Sequence, residues 1–149
     1  VGATAGSQLV PTVAELNNTV ETKFGPFAVI AFPAGRANAA VIYSISIPTN
    51  LLPDRSISIA LDLVAGSVVG DSLNVAYALA RPGEPVPSGW NALTSMGPAV
   101  DTANTPKRLA TDSVDCQPGD VVIFSFTQPA SAAYELAILR AMAIIVSKA

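Results

Sequence analysis

Apolar and polar residues alternate without a break from Ser56 to Leu63, with Ile57, Ile59, Leu61 and Leu63 on one side and Ser56, Ser58, Ala60 and Asp62 on the other. A period of two sustained over such a stretch is the mark of a half-buried antiparallel strand. Val41, Tyr43, Ile45 and Ile47 keep the same phase before it, and Leu73, Val75, Tyr77 and Leu79 repeat it afterwards. Clusters of Pro, Asn, Asp and Gly separate the three runs, which makes them the nucleus of a β-sandwich or barrel.

The same reading predicts about eight strands, at residues 26–32, 39–47, 56–65, 72–80, 91–96, 107–115, 120–127 and 135–147. Gln117-Pro118-Gly119-Asp120 is a turn of the Pro-Gly type, and the run from Val121 to Phe126 has the two-faced apolarity of an inner strand. Residues 132–143 contain good helix formers. Read at period two, however, Tyr134, Leu136, Ile138, Met142, Ile144 and Val146 share a face broken only by Arg140, and in an all-β context a strand is expected. Eight antiparallel strands in two sheets is the jelly-roll count, so the predicted fold is an all-β, eight-stranded antiparallel jelly-roll sandwich. Residues 1–24 are short on large apolar groups and rich in Ala, Thr, Ser, Gly and Asn, and are expected to form an extended arm, leaving residues 25–149 as the sandwich domain.

Half of the 149 residues are hydrophobic and only 13% are charged. No unbroken apolar run is longer than that from Ala141 to Val146, far short of the roughly 20 residues a spanning helix needs. Poverty in charge therefore points to a subunit that buries apolar surface against copies of itself or other partners. With a net charge of −3 and scattered basic residues, no basic stripe exists for nucleic acid.

Candidate chemistry is thin. The chain has no histidine, which removes imidazole bases and the commonest metal ligand, and its single Cys116 makes neither a disulfide nor a thiolate zinc site. The seven aspartates read as solvated turn or strand-face residues; a Ca²⁺ site from Asp112, Asp115 and Asp120 lacks EF-hand spacing. No catalytic, cofactor-binding or metal residue is assigned, no cofactor is expected, and the chain reads as a non-enzyme. Trp90, in a loop rich in Pro and Gly, is either a plug over its own sandwich or an anchor at a subunit contact.

The order of Ile57 to Leu63, then Asn74 to Tyr77, then Gln117-Pro118-Gly119-Asp120 with its following strand, resembles small β-sandwich structural proteins of tailed bacteriophages. That resemblance implies a homotrimeric capsid decoration or cement protein on the outer surface of the virion, with the major capsid protein as partner and neither nucleic acid nor membrane bound. The expected subunit and capsid contacts are Val10, Val13, Leu16, Val86, Trp90 and Met96. The alternative is a fibre or base-plate tip domain binding a host glycan, which would need polar groups and aromatics gathered in a concave site.

Overall fold

In the computed structural model, residues 8–35, 38–53, 55–128 and 135–147 are described. They form twelve strands and no helix: β1 (Gln8–Leu9), β2 (Thr12–Asn17), β3 (Val20–Phe24), β4 (Phe27–Phe32), β5 (Ala40–Ser46), β6 (Arg55–Val64), β7 (Leu73–Ala80), β8 (Asn91–Met96), β9 (Lys107–Ala110), β10 (Val114–Asp115), β11 (Val121–Thr127) and β12 (Leu136–Ser147). One sheet runs β10-β6-β12-β4-β3, with β1 beside β12 and β9 beside β6; the other runs β2-β5-β11-β7-β8. Each strand pairing is antiparallel. The two sheets face each other as a jelly-roll sandwich, the fold class that the alternation predicts.

The core is the meeting of the inward positions. Ile57, Ile59, Leu61 and Leu63 of β6 and Leu136, Ile138 and Ile145 of β12 pack with Val41, Tyr43 and Ile45 of β5 and Val122, Phe124 and Phe126 of β11. The Tyr43 and Phe126 rings meet edge to face with centroids 6.0 Å apart, the orientation aromatic quadrupoles favour.

Three expectations are corrected. Residues 8–24 are not an arm: they supply β1, β2 and β3, and they serve both sheets, because Asn18, in the left-handed region at φ 56°, lies between β2 in one sheet and β3 in the other. These strands are exposed along most of their length, so backbone pairing at the sheet margins holds them instead of an apolar stripe. Residues 1–7 of the expected arm lie outside the described residues. The expected 107–115 strand is split into β9 and β10, because Thr111 leaves the ladder to bond Ser58 and the Ile59 N–H through its hydroxyl and carbonyl. The count rises from eight strands to twelve for these reasons.

The third correction concerns β12. It is a strand, as expected, but its ladder with β6 shifts register between Ile138 and Arg140. Leu136 and Ile138 point into the core; beyond the irregularity Ala143 and Ile145 do so instead. Met142, Ile144 and Val146 therefore do not share the face of Leu136 and Ile138, since one inserted residue reverses the phase of everything after it.

Candidate functional site

The register shift in β12 makes the main concavity. On one side β12 pairs with β6 from Ala137 to Ser147, with the register shift between Ile138 and Arg140. On the other, β4 pairs with it only from Leu136↔Phe32 to Ile138↔Ile30, and β1 takes up that edge again at Ala143 and Ile144. Between them the edge at residues 139–142 has no strand partner among the described residues. Strand β4 meanwhile stays paired with β3 as far as the Gly25-Pro26 turn, so the β3–β4 hairpin diverges from β12. A notch of about 500 Å³ opens between the two, within the size range of small-ligand sites.

The walls are apolar and the rim is polar. Ala28, Val29 and Ile30 of β4 face Ile138, Leu139 and Ala141 of β12. Glu21, Thr22 and Lys23 of β3 form the outer margin. In the β3–β4 ladder Glu21 sits opposite Ile30 and Lys23 opposite Ala28. Both charged residues are exposed, and neither has an ion-pair partner among the described residues. Arg140 also borders the notch, but its guanidinium is 3.3 Å from Asp62. Asp62 in addition accepts two hydrogen bonds from Arg108, at 2.7 and 3.1 Å, and those bonds hold its carboxyl below the usual carboxylate range.

Tyr43 comes to this notch from the opposite sheet. Only 4% of its surface is exposed, and its ring packs in the core beside Phe126. Burial pushes its pKa up to about 12, so it remains a neutral phenol able to donate one hydrogen bond and accept others. A phenol hydroxyl in the lining of a cleft can bond a ligand.

A second hollow, about 340 Å³, lies over β7, β8 and β11 and is lined by Asn74, Ala76, Ala92, Ser95, Ser125 and Thr127 among others. It holds no charged or aromatic side chain. The notch has both the deeper polar anchor and the richer rim.

The expected contact residues do not converge. Met96 is 4% exposed and belongs to the core, because it ends β8 on the inward side; it is withdrawn as a surface contact. Leu16 is half-buried against the core. Val10 and Val13 are exposed at the β2 margin, while Trp90 precedes β8 at the opposite margin of the same sheet. Val86 lies beside Ala78 and Ile123 over the middle of that sheet. Trp90 is 46% exposed. Of the tyrosines, Tyr43 reaches the notch, Tyr77 packs on the core, and Tyr134 lies outside the described residues.

Asp71, Asp101, Asp112 and Asp115 are exposed, as expected, but Asp120 is not. Asp120 is buried, and its carboxylate accepts hydrogen bonds from Arg81 Nε and Nη2, at 3.1 and 3.0 Å, and from the Gln117 N–H at 2.8 Å. Asp112 accepts from the Thr94 N–H and Asp115 from the Ser56 hydroxyl. The three serve different partners, and no group of three His, Cys, Asp or Glu placed to hold a metal occurs among the described residues. Cys116 is half-buried, and burial, helped by Asp120 and Asp115, pushes its thiol up to about 11.

With this geometry in hand, similar proteins are informative. No protein-family model matches the chain, and no curated protein matches it significantly in sequence. Solved structures do match. The CBM36-1 domain of a multidomain xylanase from the hindgut metagenome of Trinervitermes trinervoides superposes with a TM-score of 0.55 at 13% identity, over 93% of this chain and 96% of that one. A CBM35 from Cellvibrio japonicus gives 0.53 at 14% identity, over 99% and 94%. A carbohydrate-binding module, CBM36, in complex with calcium and xylotriose gives 0.52 at 15% identity, over 92% and 99%.

The likeness is one of fold. It confirms the jelly-roll sandwich across nearly the whole of each chain. It also overturns the capsid decoration reading: solved chains that share this architecture from end to end are carbohydrate-binding modules. Alternating strands and a Pro-Gly turn, the features behind the phage resemblance, suit many antiparallel sandwiches and do not point to a capsid.

Proposed function

We propose that this chain is a non-catalytic carbohydrate-binding module that takes a glycan in the notch between the β3–β4 hairpin and β12. The observation that carries the reading is the cleft itself, with Tyr43 in its lining, apolar walls and a polar rim of Glu21, Thr22 and Lys23. A sugar presents both kinds of surface at once: C–H faces that pack on aliphatic side chains such as Val29, Ile30 and Leu139, and hydroxyls that donate and accept. Likeness of fold to modules described as carbohydrate-binding supports the same reading.

The test is retardation of the protein in native gels containing soluble polysaccharides, followed by calorimetry with the best oligosaccharide. Binding to at least one glycan is expected, and Tyr43→Phe should weaken it by about five- to tenfold, the worth of one neutral hydrogen bond. The same substitution should leave the melting temperature nearly unchanged, because phenylalanine keeps the buried ring and its edge-to-face contact with Phe126. No glycan bound across plant, bacterial and animal polysaccharides would overturn the function; full binding by Tyr43→Phe would remove the site from the notch.

A further inference from the structure

The free edge of β3 is complementary to itself. We infer that two copies of this chain pair β3 with β3 in an antiparallel dimer centred on Thr22, which joins their larger sheets into one.

β3 is the outermost strand of the larger sheet, beyond β4. An outer strand presents unpaired backbone N–H and C=O groups, and proteins blunt such edges with bulges, short strands or charges. The other marginal strands among the described residues are blunted. β2 shifts register against β5 between Val13 and Glu15, and β8 shifts against β7 between Leu73 and Val75. Asp112 also takes the Thr94 N–H of β8. β1, β9 and β10 have only two, four and two residues. β3, by contrast, keeps an unbroken register with β4 from Val20↔Ala31 to Phe24↔Phe27, and Val20 to Lys23 are exposed.

Hydrogen-bonded and non-bonded pairs alternate along an antiparallel ladder. Gly25 and Pro26 make a two-residue turn, so Phe24 with Phe27 is the closing bonded pair and Thr22 with Val29 the next. Glu21 and Lys23 then turn their N–H and C=O groups to the free edge. Pairing about Thr22 sets Glu21 of each copy against Lys23 of the other, and these outward groups exchange hydrogen bonds. The side chains agree with that register. Glu21 and Lys23 share one face, so two ion pairs form across the joint. On the other face Val20 meets Phe24 of the second copy. Sliding one strand by two residues sets Glu21 against Glu21 or Lys23 against Lys23, and like charges directly opposite oppose it. The contact is isologous, as a two-fold dimer requires. Glu21 and Lys23 both border the notch, so each copy supplies a charge to the rim of the other. The joint does not depend on what the notch binds.

Sedimentation velocity of the full chain, diluted from about 1 mM to about 5 µM, is the test. Five paired residues bury little area, so a weak dimer that dissociates on dilution is expected. Glu21→Lys and Lys23→Glu should each weaken self-association by about tenfold, since symmetry counts every substitution twice. An equimolar mixture of the two variants should dimerise as the unaltered chain does, because each supplies the charge that the other lacks. The double variant Glu21→Lys/Lys23→Glu should do the same on its own. Both residues are exposed, so unchanged melting temperatures serve as the folding control. A monomer at every concentration, or a dimer indifferent to both single substitutions, overturns the pairing. So does failure of the mixture and the double variant to recover it.

Discussion

Replacing Asp120 with alanine should destabilise the fold by about 3 kcal/mol, which for a domain of this size lowers the melting temperature by roughly 6–12 °C. Asp120 joins three segments. Its carboxylate holds Arg81, just past the end of β7, at 3.0 Å, and its backbone carbonyl accepts from the Ile47 N–H, just past β5, at 2.8 Å. The carboxylate also accepts from Gln117 and so closes the Pro-Gly turn that opens β11. Alanine would leave the Gln117 N–H and a partly buried guanidinium without their acceptor, and truncating one member of a buried pair costs more than the pair contributes on balance. Asp120→Asn keeps the shape and should cost about half as much. Chemical denaturation of both variants is the measurement; a loss below 1 kcal/mol for Asp120→Ala would show the pair to be dispensable.

The same residue gives the fold a pH dependence. Burial opposes ionisation of Asp120, but the hydrogen bonds from Arg81 and Gln117 outweigh it and hold the native carboxyl below its usual range. A native pKa below the unfolded one means that its contribution is fully present above about pH 4 and is lost as pH falls through the native value. The stability gap between wild type and Asp120→Asn should therefore be widest near neutrality and shrink below about pH 4.

Gly97→Ala is expected to be comparably damaging, at about 2–3 kcal/mol or more. A Cβ at Gly97 would lie 2.7 Å from both Cα and Cβ of Ser72 and closer still to its hydroxyl oxygen. The obstacle is backbone, and that backbone is fixed: Ala99 donates to the Asp71 carbonyl, and Val69 and Val100 exchange hydrogen bonds. Gly89→Ala is the control, since nothing lies within 4 Å of a Cβ there. It should be neutral, or stabilising by up to about 1 kcal/mol through the unfolded chain. Equal melting temperatures for the two variants would mean that the 69–72 and 97–100 segments yield freely.

The sandwich was legible because its central strands alternate strongly. β5, β6, β7 and β11 each carry an apolar face of Val, Ile, Leu or aromatic residues. β2 and β3 were not legible: Thr12 to Asn17 and Val20 to Phe24 are exposed margins whose pairing leaves no period in the sequence. The notch was hidden for a related reason. Glu21 and Lys23 belong to a strand the pattern does not announce, and Tyr43 looks like any inward-facing aromatic. The one visible sign was Arg140, the polar residue that breaks the face of β12, and the register shift falls beside it.

Strand β12 has β6 on one side and β4 and β1 on the other, so the larger sheet is built around the last strand of the described chain. During synthesis β4 and β6 emerge from the ribosome long before the strand that joins them. Until β12 is made, β6 can pair with β9 and β10 along one edge but lacks the partner of its other edge. The β5-β11-β7 sheet closes earlier, but with nothing to cover its inner face. Final collapse is thus deferred to the end of the described chain, and a ribosome that stalls before β12 leaves a sticky half-sandwich that chaperones must hold.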